Sequence, residues 1–186
     1  MPGAFVCTSS DVANVLREYE RFSTAAMNAF VGPSTSFYLN NLQEKLISHG
    51  YRANLRVIQS NGSISTVEAC SQRAVTMLMS GPAGGVIGGK SEGLWCGTRN
   101  MITVDIGGTS ADISTIPDGH IKIMNARDSY VSGHPILVPM IDLVTIGAGG
   151  GSIAYVDSAG GFHVGPRSAG ADPGPACYGR VGRSPR

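Results

Sequence analysis

Along the first part of the chain, apolar positions recur with helical spacing. Val12, Val15, Leu16, Tyr19, Phe22, Ala26 and Phe30 fall on one face of a helix predicted from Ser10 or Asp11 to Val31, with either of those two residues as its cap. Pro33 is expected to end that helix, because proline has no N–H to donate. A second helix is predicted over Phe37–His49 and stops at Gly50. Leu55–Gln59 reads as a strand, Ser60–Ser63 as a turn and Thr66–Ser71 as a short helix. Val75–Met79 is a strand-like apolar run leading into Ser80-Gly81-Pro82. After residue 98 the pattern changes to short runs rich in isoleucine, valine and threonine. Met101–Ile106, Ala111–Ile116 and His120–Met124 read as a meander of three antiparallel strands, turned by Gly107-Gly108-Thr109 and Pro117-Asp118-Gly119. Ile141–Ile146 is a further strand. Val164–Gly179 holds few core-forming residues and reads as loop surface shaped around something, and Arg180–Arg186 as a frayed basic end.

Composition narrows the function classes. A chain of 186 residues forms one domain or two short lobes. Lysine plus arginine (14) nearly balances aspartate plus glutamate (13), which argues against a nucleic-acid or acidic-lipid surface. Cys7, Cys70, Cys96 and Cys177 lie far apart without a C-x-x-C pair, so neither a zinc knuckle nor a disulfide framework is expected, and a reducing, cytoplasmic setting fits. No apolar run reaches the length of a membrane span, and no export signal opens the chain. The 26 glycines are about twice ordinary usage and cluster after residue 80, as expected where a backbone approaches a ligand closely.

The sharpest motif is Asp105-Ile106-Gly107-Gly108-Thr109-Ser110-Ala111-Asp112. Two glycines let backbone N–H groups turn toward an anion, Thr109 and Ser110 add hydroxyl donors, and Asp105 at the strand end can hold Mg²⁺ through water. A plain tight hairpin would also use two glycines, but acids on both sides favour a phosphate-cradling one. A second stretch, Gly84 to Ser91, matches the G-x-x-x-x-G-K-[ST] pattern, with Met101–Asp105 as its acidic strand. Only residues 91–104 lie between Lys90 and Asp105, and they include Gly93 and Gly97, which is little room for a phosphate-loop helix and its return. A helix packed closely through its glycines is the other reading. Gly147–Ser152 is too weak for a dinucleotide site, since no acidic strand end follows about 20 residues later. His49, His120, His134 and His163 show no metal-ligand spacing, and Cys177 reads as a small packed cysteine before it reads as a nucleophile.

Taken in order, Tyr19-Glu20-Arg21, Asn28-Ala29-Phe30, Gln59-Ser60-Asn61-Gly62, Ser80–Gly85, Asp105–Asp112, Thr145–Ser152 and Gly165–Gly179 resemble the hydantoinase A / 5-oxoprolinase family over nearly the whole chain. That ordering demotes the Lys90 match. The resemblance implies an α/β fold of ribonuclease-H-like lobes, as in the actin, Hsp70 and sugar-kinase superfamily, with ATP between the lobes. On it, Asp105–Asp112 is the second phosphate hairpin. No first hairpin of the form D-x-G-G-T precedes residue 80, so the sequence reads as an internal piece, with residues 1–98 ending the first lobe and 99–186 beginning the second. Apolar surface on Val12–Phe30 is then expected to lie uncovered. The resemblance further implies ATP-dependent opening of cyclic amides such as hydantoins or 5-oxoproline, with carboxylating relatives. Asp105 and Asp112 would manage metal and water, and Gly107, Gly108, Thr109 and Ser110 would hold phosphate. Gly81, Gly84 and Gly85 would bring a helix N-terminus near the phosphates, and Gly149, Gly150, Gly151 and Ser152 would contact nucleotide or substrate. Mg²⁺ and a hydantoinase B-type subunit or fused domain complete the implied set. The rival reading is a non-catalytic nucleotide-binding or interaction module.

Overall fold

A computed structural model describes residues 4–180 of the protein, a mixed α/β chain. It divides into two compact units. One holds the chain through Gly88 together with Ile121–Asp142, and the other holds Gly89–His120 together with the chain from Leu143.

In the first unit, α1 (Ser9–Val12) is capped by Thr8, whose Oγ1 accepts the Asp11 N–H at 3.2 Å. The cap thus falls two or three residues before the expected one. The chain breaks over residues 13–17, and α2 then runs unbroken from Glu18 to Ser48, straight through Pro33. Two predicted helices are therefore one. Gly32, directly before the proline, has no Cβ to clash with the pyrrolidine ring. Side-chain bonds also tie α2 down on both sides of Pro33. Asn28, fully buried, donates to Gln72 O at 3.1 Å and accepts the Val75 N–H at 3.0 Å, and Ser36 Oγ donates to Ser71 O at 3.1 Å. The same Asn28 contact overturns the strand expected at Val75–Met79. Val75 has a side-chain acceptor in place of a neighbouring strand, and Ala74–Met77 forms a 3₁₀ turn.

The buried positions of α2 are Thr24, Asn28, Gly32 and Leu39, whereas Leu16, Tyr19, Phe22 and Phe30 are exposed. The apolar stripe does not mark the buried face. This matches the expectation of uncovered surface between Val12 and Phe30, with Val12 itself buried. The strands β1 (Arg56–Ile58) and β2 (Ile64–Thr66) pair antiparallel around the 60–63 turn, and α3 (Val67–Gln72) is capped by Thr66 Oγ1 on the Ala69 N–H. Then comes α4 (Ser80–Trp95). In the returning segment, β5 (Ile123–Met124) pairs with β8 (Met140–Ile141), and β6 (Tyr130–Val131) pairs with β7 (His134–Pro135). Val12, Val75, Ile136, Val138 and Met140 form the core here, and Leu39, Val67 and Cys70 form a second apolar cluster.

The second unit carries β3 (Met101–Ile106) and β4 (Ala111–Ile116), paired antiparallel in register from Met101↔Ile116 to Ile106↔Ala111. Both match prediction. The third strand does not, because β5 pairs elsewhere and β4 takes β9 (Val144–Ile146) instead, giving the order β3-β4-β9. The run 141–146 is split between β8 and β9. A long hairpin of β10 (Ser152–Val156) and β11 (Phe162–Ser168) follows, where loop was expected from Val164. Glycines on α4 allow close packing on β3. A Cβ on Gly89 would stand 2.5 Å from Thr103 Cγ2, and one on Gly93 would stand 1.9 Å from Met101 Sδ. All of Gly84–Ser91 is helical, so its backbone N–H groups turn along the helix and cannot ring a phosphate as a phosphate loop does. Gly89 and Gly93 serve close helix packing, and the phosphate-loop reading of Lys90 falls. Among the described residues all four cysteines are free, and no helix is long and apolar enough to cross a membrane. Of the basic end, residues 181–186 lie outside the described residues.

Candidate functional site

The three-stranded sheet sets its polar residues in a row. Asp105 stands directly opposite Asp112 on β4, and Asp112 stands directly opposite Thr145 on β9. Residues paired in this way share a face, so two carboxylates and a hydroxyl line up across three strands. Thr145 Oγ1 donates to Asp112 Oδ1 at 2.5 Å, which orients that carboxylate. Asp105 is exposed, and among the described residues no side chain is found bonding it. The two acids are thus unequal: one is held, and the other faces solvent.

Between them, the 107–110 turn closes on a bond from the Gly107 N–H to Ser110 O at 2.9 Å. Gly107, Gly108 and Thr109 are exposed, and among the described residues the N–H groups of Gly108 and Thr109 have no acceptor. Adjacent free amides in an exposed glycine turn that also carries a threonine are donors available to an anion.

The second glycine loop lies against the first. The Gly150 N–H donates to Gly107 O at 2.9 Å and the Gly151 N–H to Gly108 O at 2.6 Å. The Gly149 N–H donates to Ser152 Oγ at 2.8 Å, and the Ser152 N–H to Gly149 O at 2.9 Å. A Cβ on Gly149 would stand 2.6 Å from Gly107 O and 2.7 Å from Ser110 N, so the two loops meet only because that side chain is missing. Gly151 O in turn accepts the Ala169 N–H at 2.7 Å, which joins the end of β11 to the same loop. Every amide from Gly149 to Ser152 is therefore engaged within the protein. That loop shapes and braces the 107–110 turn, and its own amides are not available to a ligand.

The remaining expected residues stand on α4. Gly81 lies in its first turn, where amides lack helical partners, while Gly84 and Gly85 lie beyond it, where amides are used by the helix. Lys90 lies later on the same helix. Among the described residues no three metal-ligating side chains cluster. Mg²⁺ does not require such a cage, because it keeps several waters and takes one or two carboxylates plus phosphate oxygens. The facing pair Asp105 and Asp112 supplies hard oxygen donors of that kind. Among the described residues, His163 is the one histidine that meets a carboxylate: its Nε2 lies 2.7 Å from Asp157 Oδ2, and its ring stacks on Tyr155. Thr145, the partner of Asp112, is a functional residue that the sequence pattern hardly marks. Its signal was slight, one polar position between Val144 and Ile146 on a short strand.

Comparison with known proteins bears on this geometry. The family model described as hydantoinase/oxoprolinase matches residues 21–185. The caprolactamase subunit alpha of Pseudomonas jessenii is 41% identical over 185 residues, covering all of this chain and 26% of the relative. The 5-oxoprolinase of Saccharomyces cerevisiae is 35% identical over 181 residues, covering 95% of this chain and 13% of the relative. A crystal structure of an ATP-dependent caprolactamase from Pseudomonas jessenii superposes with a TM-score of 0.76 at 40% identity, covering 99% of this chain and 26% of that one. The chain thus spans about a quarter or less of the length of these relatives.

Proposed function

Because the chain belongs to the hydantoinase/oxoprolinase family, we propose that it holds the phosphates of ATP in an enzyme that opens cyclic amides. The observation that carries this reading is the 107–110 turn, with exposed free amides between two facing carboxylates and a second glycine loop buttressing it. Relatives named caprolactamase and 5-oxoprolinase, and a solved structure titled ATP-dependent, support the same reaction class. The ribonuclease-H-like lobe is the fold we infer for the sheet.

A ring amide is a poor electrophile because its nitrogen lone pair is delocalised into the carbonyl. A phosphoryl group passed from ATP to the carbonyl oxygen would draw that lone pair away, so that water could add at the carbonyl carbon, the ring C–N bond could break with the nitrogen taking a proton, and ADP and phosphate would be released beside the ring-opened acid. The Gly108 and Thr109 amides would hold the phosphate oxygens from fixed positions, and the Thr109 and Ser110 hydroxyls stand beside them. Preorganised donors of this kind need no rearrangement as charge shifts during transfer. Asp105 would carry Mg²⁺ through water, while Asp112, oriented by Thr145, would position water. Gly149–Ser152 would keep the turn in shape. A second subunit or fused domain would supply the remaining groups, in keeping with a relative named as a subunit alpha.

ATP consumption is the test, measured with 5-oxoproline, hydantoin and caprolactam. It is run on this chain with a partner subunit, and on the Pseudomonas jessenii subunit alpha with its matching quarter replaced by this chain. ADP release that depends on one of these amides, with the ring-opened product formed in equal amount, is expected. ADP release that no amide accelerates in either preparation would leave the binding-module reading in its place.

A further inference from the structure

We propose that Tyr178 is a phosphate contact of the 107–110 turn, its phenol O–H donating to the anion that the Gly108 and Thr109 amides face. This rests on reading the turn as a phosphate cradle. A Cβ on Gly108 would stand 3.6 Å from Tyr178 Oη, and one on Gly150 would stand 3.9 Å from the same atom. One hydroxyl oxygen therefore stands where a single side-chain carbon on either glycine loop would just reach it. Tyr178 is 45% exposed, and among the described residues its hydroxyl has no hydrogen-bond partner, so the O–H is open to a ligand.

The ring is seated from below. Tyr178 closes a 3₁₀ turn at Ala176–Tyr178, its N–H donating to the oxygen of the fully buried Pro175 at 3.0 Å. Gly174 has φ +72°, and a Cβ there would stand 2.5 Å from Tyr178 Cδ2, so the ring lies against a position where only glycine leaves room. Arg180 Nη1 donates to Ala171 O at 3.4 Å, which closes the same loop outside the ring. An aromatic ring held in this way brings its hydroxyl to one place at little further entropic cost. A phenol O–H is a donor, which is what an anion beside two free amides requires. A hydrogen bond to a charged acceptor is stronger than a neutral one, so its loss should be measurable.

The test is Tyr178→Phe, which keeps the ring and removes only the oxygen. Binding of MgATP and of tripolyphosphate is measured by calorimetry on the 186-residue chain, alongside a thermal melt. Expected is about tenfold or more weaker binding of both ligands by the variant, with the melt unchanged. Equal binding by variant and parent overturns the proposal. Weakening with MgATP but not with tripolyphosphate also overturns it, since the hydroxyl would then meet the nucleoside. If the parent binds neither ligand, the cradle reading itself fails, and this contact with it.

Discussion

Gly149 and Gly107 meet without room for a side chain: a Cβ on Gly149 would stand 2.6 Å from the Gly107 carbonyl oxygen. Gly150, its neighbour, would place a Cβ at an ordinary 3.8 Å from the same oxygen. Contact with the hairpin therefore requires glycine at 149, and likewise at 151, where a Cβ would stand 2.9 Å from Gly108 O, but not at 150. Gly149→Ala should destabilise the protein by about 1–3 kcal/mol, the usual cost of overpacking, while Gly150→Ala should cost far less. Urea unfolding of both variants checks this, and equal losses would show that the loops do not rest on each other.

Thr145 meets Asp112 through a single hydroxyl. Thr145→Val keeps the shape and removes the donor, and should lower amide-dependent ATP turnover by about tenfold, with Thr145→Ser restoring most of it. In an Asp112→Ala background the same valine should add almost nothing, because the partner is already gone. Additive losses would mean that Thr145 acts elsewhere.

Asp105 and Lys90 separate the two glycine motifs experimentally. With the 84–91 stretch helical, Lys90→Ala should leave MgATP binding within a few-fold. Asp105→Ala should weaken binding by about 10²-fold, as loss of a preorganised charged group does. Calorimetric titration with MgATP decides, and the reverse order would displace the hairpin as the nucleotide site.

At the tip of β10 and β11, the bond from His163 holds the Asp157 carboxyl below its ordinary value of 3.8, and the N–H groups of Gly161 and Ala159 add to the effect. A carboxyl with a lowered folded-state value contributes stability that is fully present above pH 3.8. That contribution fades as the pH falls through the lower folded value. Amide exchange at Gly161 and Ala159 should therefore quicken, relative to the exchange expected of free peptide, on acidification below about pH 4. His163→Ala should shift that loss to higher pH, and an unchanged acid profile in the variant would rule the pair out as its cause.

Local chemistry determined much of this protein from the sequence alone. The β-branched runs Met101–Ile106 and Ala111–Ile116, joined by Gly107-Gly108-Thr109, carry their own strand and turn preferences, so the hairpin with an acid on each side of its turn was legible, while the register that sets those acids opposite each other came from the structure. The ordered motifs likewise pointed to the family before any contact was known. What the sequence left open were choices between distant partners. The turn chemistry of Pro117-Asp118-Gly119 makes His120–Met124 the expected neighbour of β4, but pairing chose Val144–Ile146, which alone brought Thr145 to Asp112. Pro33 breaks a helix in isolation, yet Asn28 and Ser36 anchor α2 to a segment some forty residues on and carry it through. The glycines of 149–151 looked like ligand donors because a sequence shows N–H groups without their acceptors. Only the fold places the carbonyls of Gly107 and Gly108 against them, since a hydrogen bond between loops forty residues apart is a property of packing and not of either loop.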